Sequence, residues 1–126
     1  MSGATITCIA VYKLTLPKTE PFRIALGTLS QLENILVRVD SSDGLVGFGE
    51  GSPYPFIAGE TQAIAYEAAL ALARVLVGRD PYALEARVRD MDSYLEHNTT
   101  AKSALDMALH DLLGKRAGLP LYALLG

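Results

Sequence analysis

Cysteine is almost missing from this chain: Cys8 is the only one in 126 residues. A disulfide within the chain is therefore excluded, and a reducing, cytoplasmic setting is expected. Tryptophan is absent, and histidine occurs only at His97 and His110. Neither histidine has a cysteine or carboxylate at ligand spacing, so no metal site is expected within the chain. A basic excess is lacking as well. The 11 basic residues stand against 14 acidic ones, which leaves no footprint for nucleic acid. No apolar run approaches the roughly 18 residues that cross a bilayer. The start, Met1-Ser2-Gly3-Ala4-Thr5, carries neither the charged nor the apolar region of an export signal. Nucleic acid and membrane are thus not expected as partners.

What is present is a globular composition, 50% hydrophobic and 20% charged, of a length that suits one hydrophobic core. Thr5 to Leu16 alternates with period two, which predicts a strand with Ile6, Cys8, Ala10, Tyr12, Leu14 and Leu16 on its buried face. Pro17 and Pro21 interrupt it, since proline cannot donate to a ladder. Residues 17–33 therefore read as a long loop, and loops of that length are often functional. Asn34 to Asp40 reads as a second strand, Ser41-Ser42-Asp43-Gly44 as a turn, and Leu45 to Glu50 as a third strand. A second loop spans residues 51–59.

The remainder is helical in pattern. Thr61 can cap a helix that runs to about Val77 and stops at Gly78. Asp80-Pro81 reads as an N-cap with proline in the first turn, followed by an apolar stripe at Leu84, Val88, Met91 and Leu95. Asn98 or Thr99 can cap a third helix that ends at Gly118, ahead of Pro120. Its small stripe, Ala101, Ala104 and Ala108 with Leu112, predicts tight packing. The expected fold is α+β, a three-stranded antiparallel β-meander followed by three α-helices.

Few residues carry chemistry. Gly47-Phe48-Gly49-Glu50-Gly51 follows a strand like a dinucleotide fingerprint, but Ser52 and Pro53 stand where the helix should begin. It reads better as a strand whose glycines admit a close neighbour. His110 with Asp111 reads as a structural pair, and Asp106 and Asp111 are spaced poorly for a carboxylate dyad. Glu50 reads as a loop-fixing hydrogen-bond acceptor, and Cys8 as a core residue. No catalytic residue is expected here. Phe22, Arg23, Ile24, Tyr54 and Phe56 stand out in the two loops. They either tuck onto the domain's own core or line a pocket shared with another domain.

Pro21-Phe22-Arg23-Ile24-Ala25-Leu26, Gly47-Phe48-Gly49-Glu50-Gly51-Ser52-Pro53, the helix around Ala101-Lys102-Ser103-Ala104-Leu105-Asp106-Met107-Ala108-Leu109-His110-Asp111-Leu112, and Gly118-Leu119-Pro120-Leu121-Tyr122 together resemble the enolase superfamily. The match runs in order over essentially the whole chain. Its branch resembles the mandelate racemase and muconate-lactonizing group, and within it the dipeptide epimerases.

The resemblance implies an N-terminal capping domain over residues 1–118. Residues 119–126 would begin the connection to a (β/α)-barrel that lies outside the sequence and carries the reaction. It also implies Mg²⁺ held by acidic residues of that barrel, and barrel lysines that move the proton α to a carboxylate. The cap's loops, about residues 17–30 and 51–59, would choose the small-molecule substrate, a dipeptide or acyl amino acid. Specificity would then fall to Phe22, Arg23, Ile24, Tyr54 and Phe56. Epimerases for an Ala-Glu dipeptide place an arginine where this chain has Gly27, which points to a small or apolar side chain instead. The chain alone is expected to be inactive and to form homo-oligomers through its bare apolar surface. Muconate cycloisomerase, o-succinylbenzoate synthase and N-acylamino-acid racemase share this cap, and a stand-alone binding module is the alternative of another class.

Overall fold

The computed structural model describes residues 3–24 and 27–126, with the side chains of residues 21–24 and 27–30 left out. Three strands, β1 (Ile6–Ile24), β2 (Gly27–Ser41) and β3 (Val46–Gly51), precede five helices: α1 (Pro55–Ala58), α2 (Gln62–Leu76), α3 (Leu84–Tyr94), α4 (Thr99–Ala117) and α5 (Leu121–Leu125). The strands form one antiparallel sheet in the order β1-β2-β3. The expected meander followed by helices is present, with α1 and α5 as short additions.

The core lies between one face of this sheet and the helices. Ile35, Val37 and Val39 on β2 are fully buried against Ala65, Ala69, Leu72 and Leu76 of α2 and Ala104, Leu105, Ala108, Leu109 and Leu112 of α4. The close neighbour that the β3 glycines admit is α4. A Cβ added at Gly49 would overlap the carbonyl oxygen of Ala104, and one at Gly47 that of Ala108. Glycine and alanine on facing surfaces let helix and strand backbones touch, and dispersion contacts accumulate where two backbones meet without a gap.

Two local rules act as read from the sequence. Thr61 caps α2, its Oγ1 accepting the Ile64 N–H at 3.2 Å. Gly118 closes α4 with φ 67°, and Leu119 donates its N–H back to the Gly114 carbonyl, a left-handed cap that only glycine adopts without strain. The entry to α4 differs from expectation. His97 and Asn98 both have positive φ, 56° and 52°, and the Asn98 amide donates to the Glu96 carbonyl instead of capping the helix. Asp80 likewise does not cap α3, which begins at Leu84. It accepts the Tyr82 N–H at 2.9 Å in a side-chain turn ahead of the helix. The nearby Arg87, buried, donates to the Asp80 carbonyl and to Asp90.

The strand expectations need two corrections. Residues 17–24 and 27–33 are not a loop: β1 and β2 run on as a paired ribbon, with Pro17 opposite Gln31 and Phe22 opposite Leu29. β1 is an edge strand, where a missing N–H is tolerated, and five steps along β1 match two along β2 between those pairs. The buried face of β1 is also reversed beyond its start. Ile6 opposes Ser41 while Cys8 opposes Asp40, so Thr7 is a bulge. One extra residue exchanges the faces. Val11 is buried and Ile9 packs on the core, while Cys8 is exposed and Tyr12 half-exposed. Cys8 is therefore not a core residue.

Candidate functional site

The ribbon and the second loop define one end of the molecule. β3 pairs with β2 only from Asp40 opposite Val46 to Ile35 opposite Gly51. Beyond Ile35 the ribbon continues as two strands alone. Chain leaving β3 runs through Ser52 and the buried Pro53 into α1, and re-enters the core at α2. Tyr54 stands at the N-cap of α1, half-buried, and Phe56 is 66% exposed. Their rings meet edge to face with centroids 6.0 Å apart, an arrangement favoured by the aromatic quadrupole. Ile57 is exposed beside them. Phe56 thus does not tuck into the core. The backbone of Phe22, Arg23 and Ile24 lies in the ribbon opposite Leu29, Thr28 and Gly27, while their side chains lie outside the described residues.

A polar cluster sits where the ribbon leaves the sheet. Glu50 does fix its surroundings by accepting a hydrogen bond, and the donor is Asn34 Nδ2 at 2.5 Å. Gln62, the first residue of α2, donates to the Asn34 carbonyl at 2.9 Å and to Thr15 Oγ1 at 3.2 Å. Asn34 and Glu60 are buried, each with one carbonyl or carboxylate oxygen left without a partner. Asn34, Glu60 and Gln62 escaped notice in the sequence. The one available signal was a polar residue set directly before the apolar run Ile35-Leu36-Val37.

The one histidine and the two aspartates of α4 serve the fold. His110 and Asp111 do not pair, because consecutive helical residues diverge whereas residues four apart share a face. His110 Nδ1 instead lies 2.9 Å from the Asp106 carbonyl and 3.4 Å from its carboxylate. Asp111 accepts the Phe48 N–H at 2.9 Å and pairs with Lys115, which donates to the Val46 carbonyl at 2.6 Å. The outer border of β3 is thereby blunted by two charged side chains, a common protection of sheet edges.

A second cluster joins the β2–β3 turn to the end of α4. The Tyr82 hydroxyl donates to Asp43, and the Arg116 guanidinium lies 4.4 Å over the Tyr82 ring and 3.6 Å from the Asp43 carboxylate. The Tyr82 hydrogen bond holds the Asp43 carboxyl below the usual carboxylate range. Burial and the neighbouring carboxylate push the Tyr82 phenol up.

Among the described residues no three His, Cys, Asp or Glu side chains come together as a metal site. No described helix is long and apolar enough to cross a membrane.

A three-stranded meander backed by helices, with two segments projecting from one end, defines a domain of the capping type found in the enolase superfamily. Residues 6–126 match the family described as mandelate racemase/muconate lactonizing enzyme, N-terminal domain, and the chain belongs to it. It is 39% identical over 121 residues to a D-Ala-D/L-Ala epimerase of Cytophaga hutchinsonii, covering 96% of this chain and 33% of that protein. It is 41% identical over 107 residues to a hydrophobic dipeptide epimerase of Enterococcus faecalis, covering 85% and 30%. The crystal structure of the Cytophaga hutchinsonii dipeptide epimerase, complexed with Mg and the dipeptide D-Ala-L-Val, superposes with a TM-score of 0.94 at 38% identity, over 97% of this chain and 33% of that one. The chain spans about a third of the length of the relatives it matches.

Proposed function

We propose that this chain is the capping domain of a Mg²⁺-dependent dipeptide epimerase, and that its two projecting segments select the substrate side chain. Residues 1–118 form the cap in this reading, and residues 119–126 lead into a barrel that supplies the acidic ligands and the proton-moving lysines. The observation that carries it is the exposure of Phe56 and Ile57 on α1, beside a family match that covers the chain from residue 6. Exposed aromatic and aliphatic groups at a loop gain from covering an apolar substrate side chain, and that cover excludes water from the reacting end. Tyr54 holds the Phe56 ring edge to face, while Phe22, Arg23 and Ile24 would approach from the ribbon. Mg²⁺ would stabilise the charge that develops on the substrate carboxylate, and we assign it to the barrel.

Gly27 in place of an arginine supports a small or apolar dipeptide over one ending in glutamate. An unpaired, exposed Cys8 supports a reducing, cytoplasmic compartment. The test is α-proton exchange in deuterated water, measured on the full-length gene product with Mg²⁺ and a panel of dipeptides. L-Leu-L-Tyr and L-Ala-L-Ala are expected to exchange faster than L-Ala-L-Glu. Residues 1–126 alone are expected to show no exchange above background, and turnover by them would overturn the assignment. Produced alone, they are also expected to self-associate through exposed Leu119, Tyr122 and Leu125, which a strictly monomeric sedimentation mass would contradict.

A further inference from the structure

A two-stranded ribbon holds its shape in water only when something anchors it, and the anchor here is specific. One amide, that of Gln62, donates to both strands at the point of departure: to the Asn34 carbonyl on β2 at 2.9 Å and to Thr15 Oγ1 on β1 at 3.2 Å. The Asn34 side chain then donates across to Glu50 at 2.5 Å. Glu50 immediately precedes the 51–59 segment, and Gln62 follows it within three residues. Both projecting segments are therefore tied to one set of hydrogen bonds.

Asn34 is only 4% exposed, and its Oδ1 has no partner. An apolar side chain there would remove that orphan acceptor, since a buried unpaired polar group is costly. What asparagine offers in return is the connection to Glu50.

We infer that Asn34 and Gln62 are positioning residues that hold the ribbon and the second loop in one fixed relation, and so set the substrate preference of the cap. The last step rests on the proposed function; the mechanical step does not.

The test uses the full-length gene product and three variants. Gln62→Met keeps the length and loses both donors, Gln62→Lys restores a donor, and Asn34→Ser severs the tie to Glu50 alone. In Gln62→Met, amide hydrogen exchange at residues 14–16 and 31–34 should quicken about tenfold, with Val37 and Leu109 unchanged, because only a local opening is eased. KM for L-Leu-L-Tyr should rise about tenfold with kcat within about twofold, the signature of lost uniform binding. Gln62→Lys should restore both readouts, and Asn34→Ser should quicken exchange at Gly51 and Ser52 and raise KM. Should Gln62→Met fail to fold, Asn34→Ser decides the matter by exchange at Gly51 and Ser52 and by KM, and no change in either overturns the inference. Unchanged ribbon exchange overturns the inference, and so does quickened exchange with unaltered KM and kcat. If the unaltered protein acts on no dipeptide, the proposed function falls, and the exchange measurements still decide whether the two segments are tied.

Discussion

The seam between β3 and α4 and the overhanging end of the β1–β2 ribbon are built on opposite plans. At the seam, Gly49 presses against backbone atoms of Ala104 and Ala108 alone, and Gly47 against the Ala108 backbone and the Leu112 side chain. At the overhang, two strands continue without a third, tethered by the amides of Gln62 and Asn34. The first region is held by packing that admits no added atom. The second is held by directional bonds between a few polar groups and leaves its outward surface to vary. A domain that must be rigid and also adaptable can separate the two demands in space.

The comparison can be broken most severely at the seam. Gly49→Ala should lower the unfolding free energy by about 3 kcal/mol or more, since α4 must move as a unit to admit the methyl group. Equilibrium denaturation of the variant reads this directly, and a loss under about 1 kcal/mol would show the seam to be looser than described. Asp111→Ala removes the acceptor of the Phe48 N–H and the partner of Lys115. A loss of roughly 1–2 kcal/mol is expected by the same measurement, the usual range for a charge-assisted bond near the surface.

At the overhang the effect should fall on selectivity and spare stability. Gly27→Arg should raise kcat/KM for L-Ala-L-Glu relative to L-Leu-L-Tyr by roughly tenfold, with the denaturation midpoint unmoved. An unchanged ratio would detach the ribbon from substrate choice.

The smallest effect is expected at Asp43, in the turn between β2 and β3. Its folded pKa is depressed, so its contribution to stability is present above the ordinary carboxylate pKa and is lost as pH falls through the depressed value. The Tyr82 phenol, raised in the fold, contributes below its ordinary pKa and loses that contribution as pH rises through the folded value. Tyr82→Phe should flatten both the acid and the alkaline limb of the stability profile. Thermal melts between about pH 2 and 11 check this.

The parts of the molecule legible in the sequence are those where one local rule acts alone. Thr61 and Gly118 bound their helices as capping chemistry requires, and Ile35, Val37 and Val39 declare the inner face of β2. The period-two glycines of β3 and the alanine stripe of α4 each announced a close neighbour, and each proved to be the other's. The β1 face was not legible, because Cys8, Ala10, Tyr12 and Leu14 alternate as well as Ile9 and Val11 do, and nothing in the letters marks Thr7 as a bulge. The ribbon was hidden by Pro17 and Pro21, which forbid a central strand but not an edge. Of the candidate site, Glu50 was recognised as an acceptor, whereas Asn34 and Gln62 gain meaning only once two distant segments meet.

The overhang also bears on how such a domain can diversify. Thr15, Leu16, Pro17, Gln31 and Glu33, on the two strands past the end of the third, are exposed, so substitutions at such positions leave the foldedness of the whole nearly untouched. Selection can then sample new surfaces at the ribbon, generation after generation, while the glycine-lined seam keeps every variant properly assembled.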